Sequence, residues 1–567
     1  MDSQRPFLYL TLIFLGFLLW TTWQADHAPK PETPATQQSA AAGADGTVPA
    51  NSSSADVPAP VAGAIPTDAA QNTAQANAAG VQIIKVRTDV LDLQISTQGG
   101  DIVVADLPTY PVSLDEPDNP VRILDRAAKN YVAQSGLQHV AVTGLDADGL
   151  AGLAPNHLAT YQAAQTDFQL GEDAEELVVP MTWQGANGVT VTKRYRFKRG
   201  SFEVKVEHEV QNNSQQTWAG TEYRQLKHGP DNTPRGFLMG VQAFVGGAYY
   251  NNDKYQRISF TDMKDGLAAG DDTATGGWIS MLQHYFISAW VPQQTEQTQY
   301  YSNEIMSLGV PSYILGARGP VKQIAAGAKD TFQTSLWVGP KLQDDLEAIA
   351  TGLDLTVDYG IFAFISKPIF WVMKMIHNVV QNWGWTIIFL TLLIKALFFW
   401  PSAASYKSMA KMKAMAPKLK EIGERYENDP QAKQKAMMEI YRKEKLNPLG
   451  GCLPILIQIP VFMGLYWVLL ESVELRQAPW LLWYKDLSIM DPYFVLPLIM
   501  GGSMYLQQKL NPPQVDPMQQ KIFQFLPVIF TFMFLWFPAG LVLYWVVNNL
   551  LSIAQQWYIN KKIIGHA

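Results

Sequence analysis

Between about Val81 and Val338, apolar and polar residues alternate with a period of two. Val189, Val191, Tyr195 and Phe197 fall on one side, Lys198-Arg199-Gly200-Ser201 makes a turn, and Phe202, Val204, Val206 and Val210 resume the alternation. Successive side chains of a strand point to opposite faces, so this pattern predicts an antiparallel hairpin with one buried face. Further strands are expected at Val81–Arg87, Leu91–Ser96, Glu176–Trp183, Tyr285–Val291 and Thr331–Val338, separated by clusters of Gly, Asn, Asp and Pro. An all-β sandwich over residues 81–340 is the architecture implied.

Elsewhere the pattern changes to continuous apolar runs. Six have the length of membrane spans: Phe7–Trp23, Trp383–Trp400, Cys452–Leu470, Tyr493–Gln508, Ile522–Phe537 and Leu541–Tyr558. The last two are joined through Pro538-Ala539-Gly540 and are expected to form a hairpin. The first run could be a cleaved signal or an anchor. Residues 1–23 fit the anchor better, because Leu19-Trp20-Thr21-Thr22-Trp23 lacks a small-x-small cleavage site and supplies interfacial tryptophans. Residues 24–80, rich in Ala, Pro, Gln, Ser, Thr and Gly, cannot bury a core and read as a disordered tether.

Residues 341–382 connect sandwich and spans. Lys341–Gly352 predicts a short helix with Leu342, Leu346 and Ile349 on one face. In Ile361–Asn382, Ser366 and Pro368 mark a helix start, and Phe370, Trp371, Met375 and Val379 are interrupted by Lys367, Lys374 and His377. That mixture suits a helix lying in the membrane interface, and a helix packed on the sandwich would read the same way.

Charge sets the orientation. Pro401–Pro448 carries eleven Lys or Arg against six Asp or Glu, whereas Glu471–Asp491 has only Arg476 and Lys485 as basic residues. Positive loops stay cytoplasmic, so residues 401–448 are inside, both termini are inside, and the β domain is outside the cytoplasm. Lys561-Lys562 after the final run agrees. Within this loop, Ser405–Tyr426 and Pro430–Leu446 flank the breaker Asn428-Asp429-Pro430 and predict a helical hairpin. Its lysines, among them Lys407, Lys411 and Lys413, enforce topology by default. Met409, Met412, Met415, Met437 and Met438 add a soft apolar surface, and contact with a ribosome or anionic lipids is electrostatically open to it.

Composition changes this picture little. The chain of 567 residues has 48% apolar content and 17 tryptophans, an average that hides the split between a polar middle and an apolar last third. Its net charge of −7 says little about partners, and DNA is not an expected one. The single cysteine, Cys452, excludes an intrachain disulfide and a cysteine-ligated metal site. The domain's histidines, His139, His157, His208, His228 and His284, show no metal-ligand spacing, and there is no nucleophile elbow or phosphate loop. His208 lies on the apolar side of its strand, as a packed core histidine would. No cofactor and no covalent catalysis are expected.

The anomaly is Lys395, inside the run Trp383–Trp400. A cation in a span costs roughly 2.5–3.5 kcal/mol on insertion scales. None of the other five runs contains an Asp, Glu, Arg or Lys between its ends, so no intramembrane carboxylate is available to pair with it. Two readings stand level: the side chain snorkels toward headgroups near Trp400, or it faces a water-filled cavity. Other polar residues in the runs form a set. Thr391 lies one helical turn from Lys395; Gln458 lies between Pro454 and Pro460; Trp545, Asn549, Ser552 and Gln556 make one stripe. They read either as hydrogen-bond glue between helices or as the lining of a wet cavity.

Four stretches carry a resemblance. Asn447–Leu469 (NPLGGCLPILIQIPVFMGLYWVL), Val473–Trp480 (VELRQAPW), Asp516–Trp545 (DPMQQKIFQFLPVIFTFMFLWFPAGLVLYW) and the charged helical hairpin resemble the YidC membrane-protein insertase family in its Gram-negative form, over essentially the whole chain. The resemblance implies an α-helical membrane protein with six transmembrane helices and an inserted periplasmic all-β supersandwich. Five of the helices would form an insertase core over residues 383–567, around a hydrophilic groove open to cytoplasm and lipid. It further implies insertion and folding of inner-membrane proteins, alone or beside the Sec translocon, with nascent membrane proteins, the ribosome and lipids as partners. Lys395 matches the groove position that is arginine in much of the family, and Thr391, Gln458, Tyr544 and Trp545 match the groove lining, Trp545 standing where some relatives have tyrosine; Asn549, on the polar stripe of the last run, is expected to join them. Lys407, Lys411, Met412, Lys413, Met415 and Asp516 are the implied cytoplasmic contacts. The chain ends IGHA, without the strongly basic tail of some relatives. A secondary transporter would need coupled charges and repeated halves, which are not seen; a scaffold anchored by its spans is the other rival.

Overall fold

The structure is a computed structural model, and the description covers residues 80–140, 153–185, 188–231, 243–268, 270–307, 309–426, 429–443, 453–510, 517–559 and 561. The expected signal-anchor and nearly all of the expected tether lie outside the described residues. The described residues separate into two compact units: those from Gly80 to Lys367 together with Tyr466–Ser488, and those of Pro368–Leu465 together with those from Ile489 on.

The first unit is built on two sheets. One has 11 strands; along it run Thr273–Thr275, Gln297–Ser307, Val310–Arg318, Trp218–His228, Val132–His139, Ile102–Ser113, Asp92–Ser96, Ile83–Arg87 and Asp167–Gln169. Lys322–Ile324 pairs with Trp218–His228, and Glu116–Asp125 with Ile102–Ser113. The other sheet has 8 strands, in the order Lys254–Ile258, Gly246–Asn251, Trp278–Leu282, Phe286–Pro292, Lys329–Pro340, Glu203–Asn212, Val189–Lys198 and Glu176–Gln184. The expected hairpin is present: Val189–Lys198 pairs antiparallel with Glu203–Asn212, and Val191 stands opposite Val210. Its apolar positions are buried: Tyr195, Phe197, Phe202, Val204 and Val206 meet residues of the other sheet such as Ile84, Leu93 and Leu226 in the main core, and Val189, Val191 and Val210 pack with Leu137, Trp218 and Ile324 in a second cluster. A one-residue slip would expose that whole set, so burial fixes the register.

The interior is not uniformly apolar. The buried face of Val189–Lys198 reads Val189, Val191, Lys193, Tyr195, Phe197, and its lysine is fully buried. Lys193 Nζ donates to the carbonyls of Gly99 at 2.8 Å and Ser135 at 2.9 Å. Nearby Asp101 accepts from Gln134 at 2.8 Å, while Arg224 lies 3.3 Å from Glu222. Burial pushes the Asp101 carboxyl up to about 6 and the Lys193 ammonium down to about 8. His208 is buried as expected of a core histidine, and burial holds it well below the usual imidazole range.

Helix α1 (Gln343–Ile349) follows the sheets and buries Leu346. Helix α2 spans Ala363–Val380, so Ser366 and Pro368 lie within it rather than at its start. Pro368 removes the N–H that would bond the Phe364 carbonyl, and the helix runs on through that single missing bond. Phe364, Trp371, Met375 and Val379 form an exposed apolar stripe along α2.

The second unit is helical: α3 (Trp383–Leu397), α4 (Phe399–Arg425), α5 (Pro430–Lys443), α6 (Leu453–Glu471, shared with the first unit from Tyr466 on), α7 (Val495–Leu510), α8 (Pro517–Phe534) and α9 (Ala539–Tyr558). The expected span Trp383–Trp400 is not one helix. The chain turns by 67° between α3 and α4. Pro401 cannot donate to the Leu397 carbonyl, which interrupts the ladder where the turn occurs. Among the described residues no single helix is long and apolar enough to cross a membrane; α3 together with the start of α4, to Met409, has the length and hydropathy as a bent pair. The helical hairpin is α4 and α5, and Asp429 caps α5 by accepting from the Gln431 and Ala432 amides at 3.1 and 3.0 Å. Asp491 caps α7 through the Leu496 amide at 2.8 Å. The extensive packing of α9 is with α3 and α7 rather than with α8, its partner in the expected hairpin.

Candidate functional site

The polar positions of α3, α6 and α9 meet inside the helical unit. Asn382 caps α3 by accepting from the Trp385 amide at 3.1 Å, which sets the helix so that Thr391 is buried and Lys395 half-buried. Lys395 Nζ donates to Ser552 Oγ on α9 at 2.7 Å. Ser552 Oγ in turn donates to the Asn548 carbonyl at 2.7 Å and is hydrogen-bonded with Tyr406 of α4. Among the described residues Lys395 has no carboxylate partner. A hydroxyl satisfies one of the three ammonium donors and leaves the net charge in place.

One turn toward the start of α9, Gln458 Nε2 of α6 donates to Asn548 Oδ1 at 2.7 Å, and Gln458 is also hydrogen-bonded with Tyr544. The rings of Phe462 and Tyr544 lie 6.1 Å apart, and Trp545 stands edge-on to Phe462 at 4.9 Å and to Phe534 at 5.7 Å. The Trp545 indole N–H is buried without a hydrogen-bond partner among the described residues. Lys395, Ser552, Asn548, Gln458 and Tyr544 therefore form a chain of polar groups bordered by aromatic rings.

Two expected members stand apart. Thr391 spends its hydroxyl on the Ile387 carbonyl of its own helix at 2.6 Å. Asn549 is buried toward α7, where its amide donates to Ser503 Oγ at 3.1 Å; it acts as interhelical glue, whereas Asn548 and Ser552 face the lysine. Adjacent residues on a helix differ by about 100°, so Asn548 and Asn549 cannot serve the same face. Asn548, Tyr406 and Phe462 were not singled out by the sequence reading; the signal for Asn548 was its place one turn before Ser552.

Of the implied cytoplasmic contacts, Lys407 and Lys411 are exposed, and Met412 and Met415 are half-buried. The Lys413 side chain and Asp516 lie outside the description. Met409 packs against a small cluster of Ala403, Tyr406 and Ile559.

The helices carry large exposed apolar faces. On α8, Phe525, Val528, Ile529, Phe532 and Met533 are all exposed, as are Leu392, Leu393 and Leu397 around the lysine on α3. Contiguous apolar surface of this kind is not stable against water and fits lipid as solvent.

The segment Val473–Trp480 belongs to the first unit and is fastened there. Arg476 donates to the Pro111 carbonyl at 2.6 Å and lies 5.6 Å over the Phe286 ring, and Gln477 donates to the same carbonyl at 2.8 Å.

Residues 83–372 match the family described as YidC periplasmic domain, and residues 375–566 the family described as 60Kd inner membrane protein. The chain is 51% identical over 567 residues to the membrane protein insertase YidC of Thioalkalivibrio sulfidiphilus, covering 99% of each. It is 47% identical to that of Methylococcus capsulatus, over 99% of each, and 46% identical to that of Azotobacter vinelandii, again over 99% of each.

Proposed function

The chain belongs to the YidC family of membrane protein insertases, and from that premise we propose how its residues perform insertion. Lys395 is the positive centre of a wet groove formed by α3, α6 and α9, and it attracts the acidic or polar segment of an incoming membrane protein. The observation that carries this reading is the Lys395–Ser552 hydrogen bond, which holds the ammonium in place among apolar helices without neutralising it. The groove lowers the cost of moving a short polar segment partway across the bilayer. The substrate helix then leaves sideways into lipid, driven by roughly 25 cal/mol per Å² of apolar surface removed from water. No covalent step is involved.

The six apolar runs cross the inner membrane with both termini cytoplasmic and the β unit periplasmic, as the loop charges require. The exposed stripe of α2 lies in the interface. Substrates arrive from the ribosome through the basic α4–α5 hairpin, and the protein acts alone or beside the Sec translocon.

Insertion of a small membrane protein into liposomes containing only this chain tests the activity. A Cys452→Ser background carrying cysteines at Ser214 and Ser408 tests the topology: the two sites are expected to label from opposite sides, and labelling from one side overturns the six-span arrangement.

A further inference from the structure

A cavity of about 710 Å³ opens within the first unit, lined among others by Lys341, Glu471, Arg257, Asp358, Phe244 and Trp467. Lys341 and Glu471 are each only 3% exposed. Among the described residues neither side chain makes a hydrogen bond or a direct ion pair, and the two attract each other only at longer range. Burial of a charge without a hydrogen-bonding partner is costly, and a protein retains it where something else supplies the partner. Burial lowers the Lys341 ammonium to about 8 and raises the Glu471 carboxyl to about 7, each against the pull of the other. Arg257 is paired with Asp358 and lies 5.1 Å over the Phe244 ring, leaving a second cation and a second anion at the same cavity.

A guest that satisfies both unpartnered groups carries an anion and a hydrogen-bond-donating cation a short distance apart. The wall also offers aromatic surface, and the volume falls in the range of a small-molecule site, enough for a headgroup and glycerol. Glu471 directly follows the apolar run Cys452–Leu470, which places it at the outer boundary of the membrane in the topology proposed above. We propose that this cavity binds the phosphoethanolamine headgroup of an outer-leaflet phospholipid, its phosphate against Lys341 and its ammonium against Glu471. A quaternary choline cannot donate a hydrogen bond to Glu471, and a glycerol headgroup offers that carboxylate no positive charge. The lipid chemistry rests on the proposed topology; the cavity's preference for a zwitterion does not.

The test is native mass spectrometry of the full-length protein in detergent, titrated with phosphatidylethanolamine, phosphatidylcholine or phosphatidylglycerol. One phosphatidylethanolamine is expected to be retained at least tenfold more tightly than the other two. Glu471→Gln is expected to erase the discrimination against phosphatidylglycerol, and Lys341→Met to weaken all phospholipid retention at this site at least tenfold. Should Lys341→Met fail to fold, Glu471→Gln alone decides, since it preserves shape. Equal retention of the three lipids, or unchanged selectivity in Glu471→Gln, overturns the proposal. Free phosphoethanolamine binding as tightly as the lipid would assign the cavity to a soluble zwitterion and overturn the lipid. Detergent binding reads the cavity regardless of orientation, so an error in topology appears in the cysteine labelling and not here.

Discussion

Lys193 stands directly opposite His208 across the antiparallel pair Val189–Lys198 and Glu203–Asn212, and both side chains are fully buried. A cation and an imidazole thus face each other where the flanking pairs, Val191–Val210 and Tyr195–Val206, are apolar. Lys193 is held by two backbone carbonyls and by attraction to Asp101 and Glu222, and His208 is kept neutral by burial and by the positive charges of Lys193 and Arg224.

Removing that lysine is therefore expected to cost more than its apolar volume. Lys193→Met leaves the Gly99 and Ser135 carbonyls without their donor and Asp101 without its cation, and breaking a buried pair costs ~3–5 kcal/mol. Adding Asp101→Asn to Lys193→Met should recover part of the loss. Denaturant unfolding of the sandwich checks both, and a Lys193→Met protein as stable as the parent contradicts this role.

The sandwich should also lose stability in mild acid. Burial lowers His157 to about 3 and His284 to about 4, and it lowers His139, His208 and His228 as well. Below the unfolded value of 6.5, the unfolded chain takes up protons that the folded chain refuses, and each such histidine costs at most ~1.4 kcal/mol per pH unit. Asp101, raised to about 6, Glu471, raised to about 7, and Glu222, also raised, act oppositely and gain stability as pH falls. Five groups outweigh three, so protection from hydrogen exchange in the sandwich strands should fall from pH 7 to pH 5. Constant or rising protection over that window would refute the balance.

The period-two alternation of Val189–Val210 was enough to place this hairpin, but it passed over Lys193. A binary pattern treats a lysine on the apolar face as an interruption, and only the carbonyls of Gly99 and Ser135, distant in sequence, make the position tolerable. The membrane runs behaved similarly. Composition located α3, while the turn before Trp400 depends on Pro401, a local signal masked by the surrounding apolar residues. Helical spacing put Ser552 and Asn549 on one broad stripe. It could not say that the first meets Lys395 and the second meets Ser503, because partners are set by how helices pack. The motif Val473–Trp480 was conspicuous in sequence, yet its anchoring by Arg476 to Pro111 spans too much chain for any local pattern to reveal.

The Gln458–Asn548 bond links α6 to α9, and losing one partner should be worse than losing both. Gln458→Leu leaves the Asn548 side-chain Oδ1 without its donor, at ~1–3 kcal/mol, whereas Gln458→Leu with Asn548→Leu replaces the pair by apolar surface. Thermal inactivation in detergent should rank the double variant above the single one. The reverse order would mean that the bond is not formed in the working protein.

Lys395 separates the two readings of its own position. As the positive centre of a groove, it tolerates Lys395→Arg, since arginine keeps the charge and is harder to deprotonate. Lys395→Ala should then fail mainly for substrates whose translocated segment is acidic. At 4 Å and an effective dielectric of about 20, one contact with a carboxylate is worth on the order of 4 kcal/mol before desolvation. Ser552→Ala removes the hydroxyl that holds the ammonium but not its charge, so it should slow insertion of all substrates alike and leave the acidic preference intact. A lysine that only reaches for headgroups makes the opposite prediction: Lys395→Leu would insert every substrate as well as the parent. The deciding measurement is insertion into liposomes of two substrates that differ only in acidic against neutral residues of the translocated segment. If Lys395→Ala protein inserts both at the parental rate, the groove charge has no part in insertion and Lys395 is an interfacial anchor.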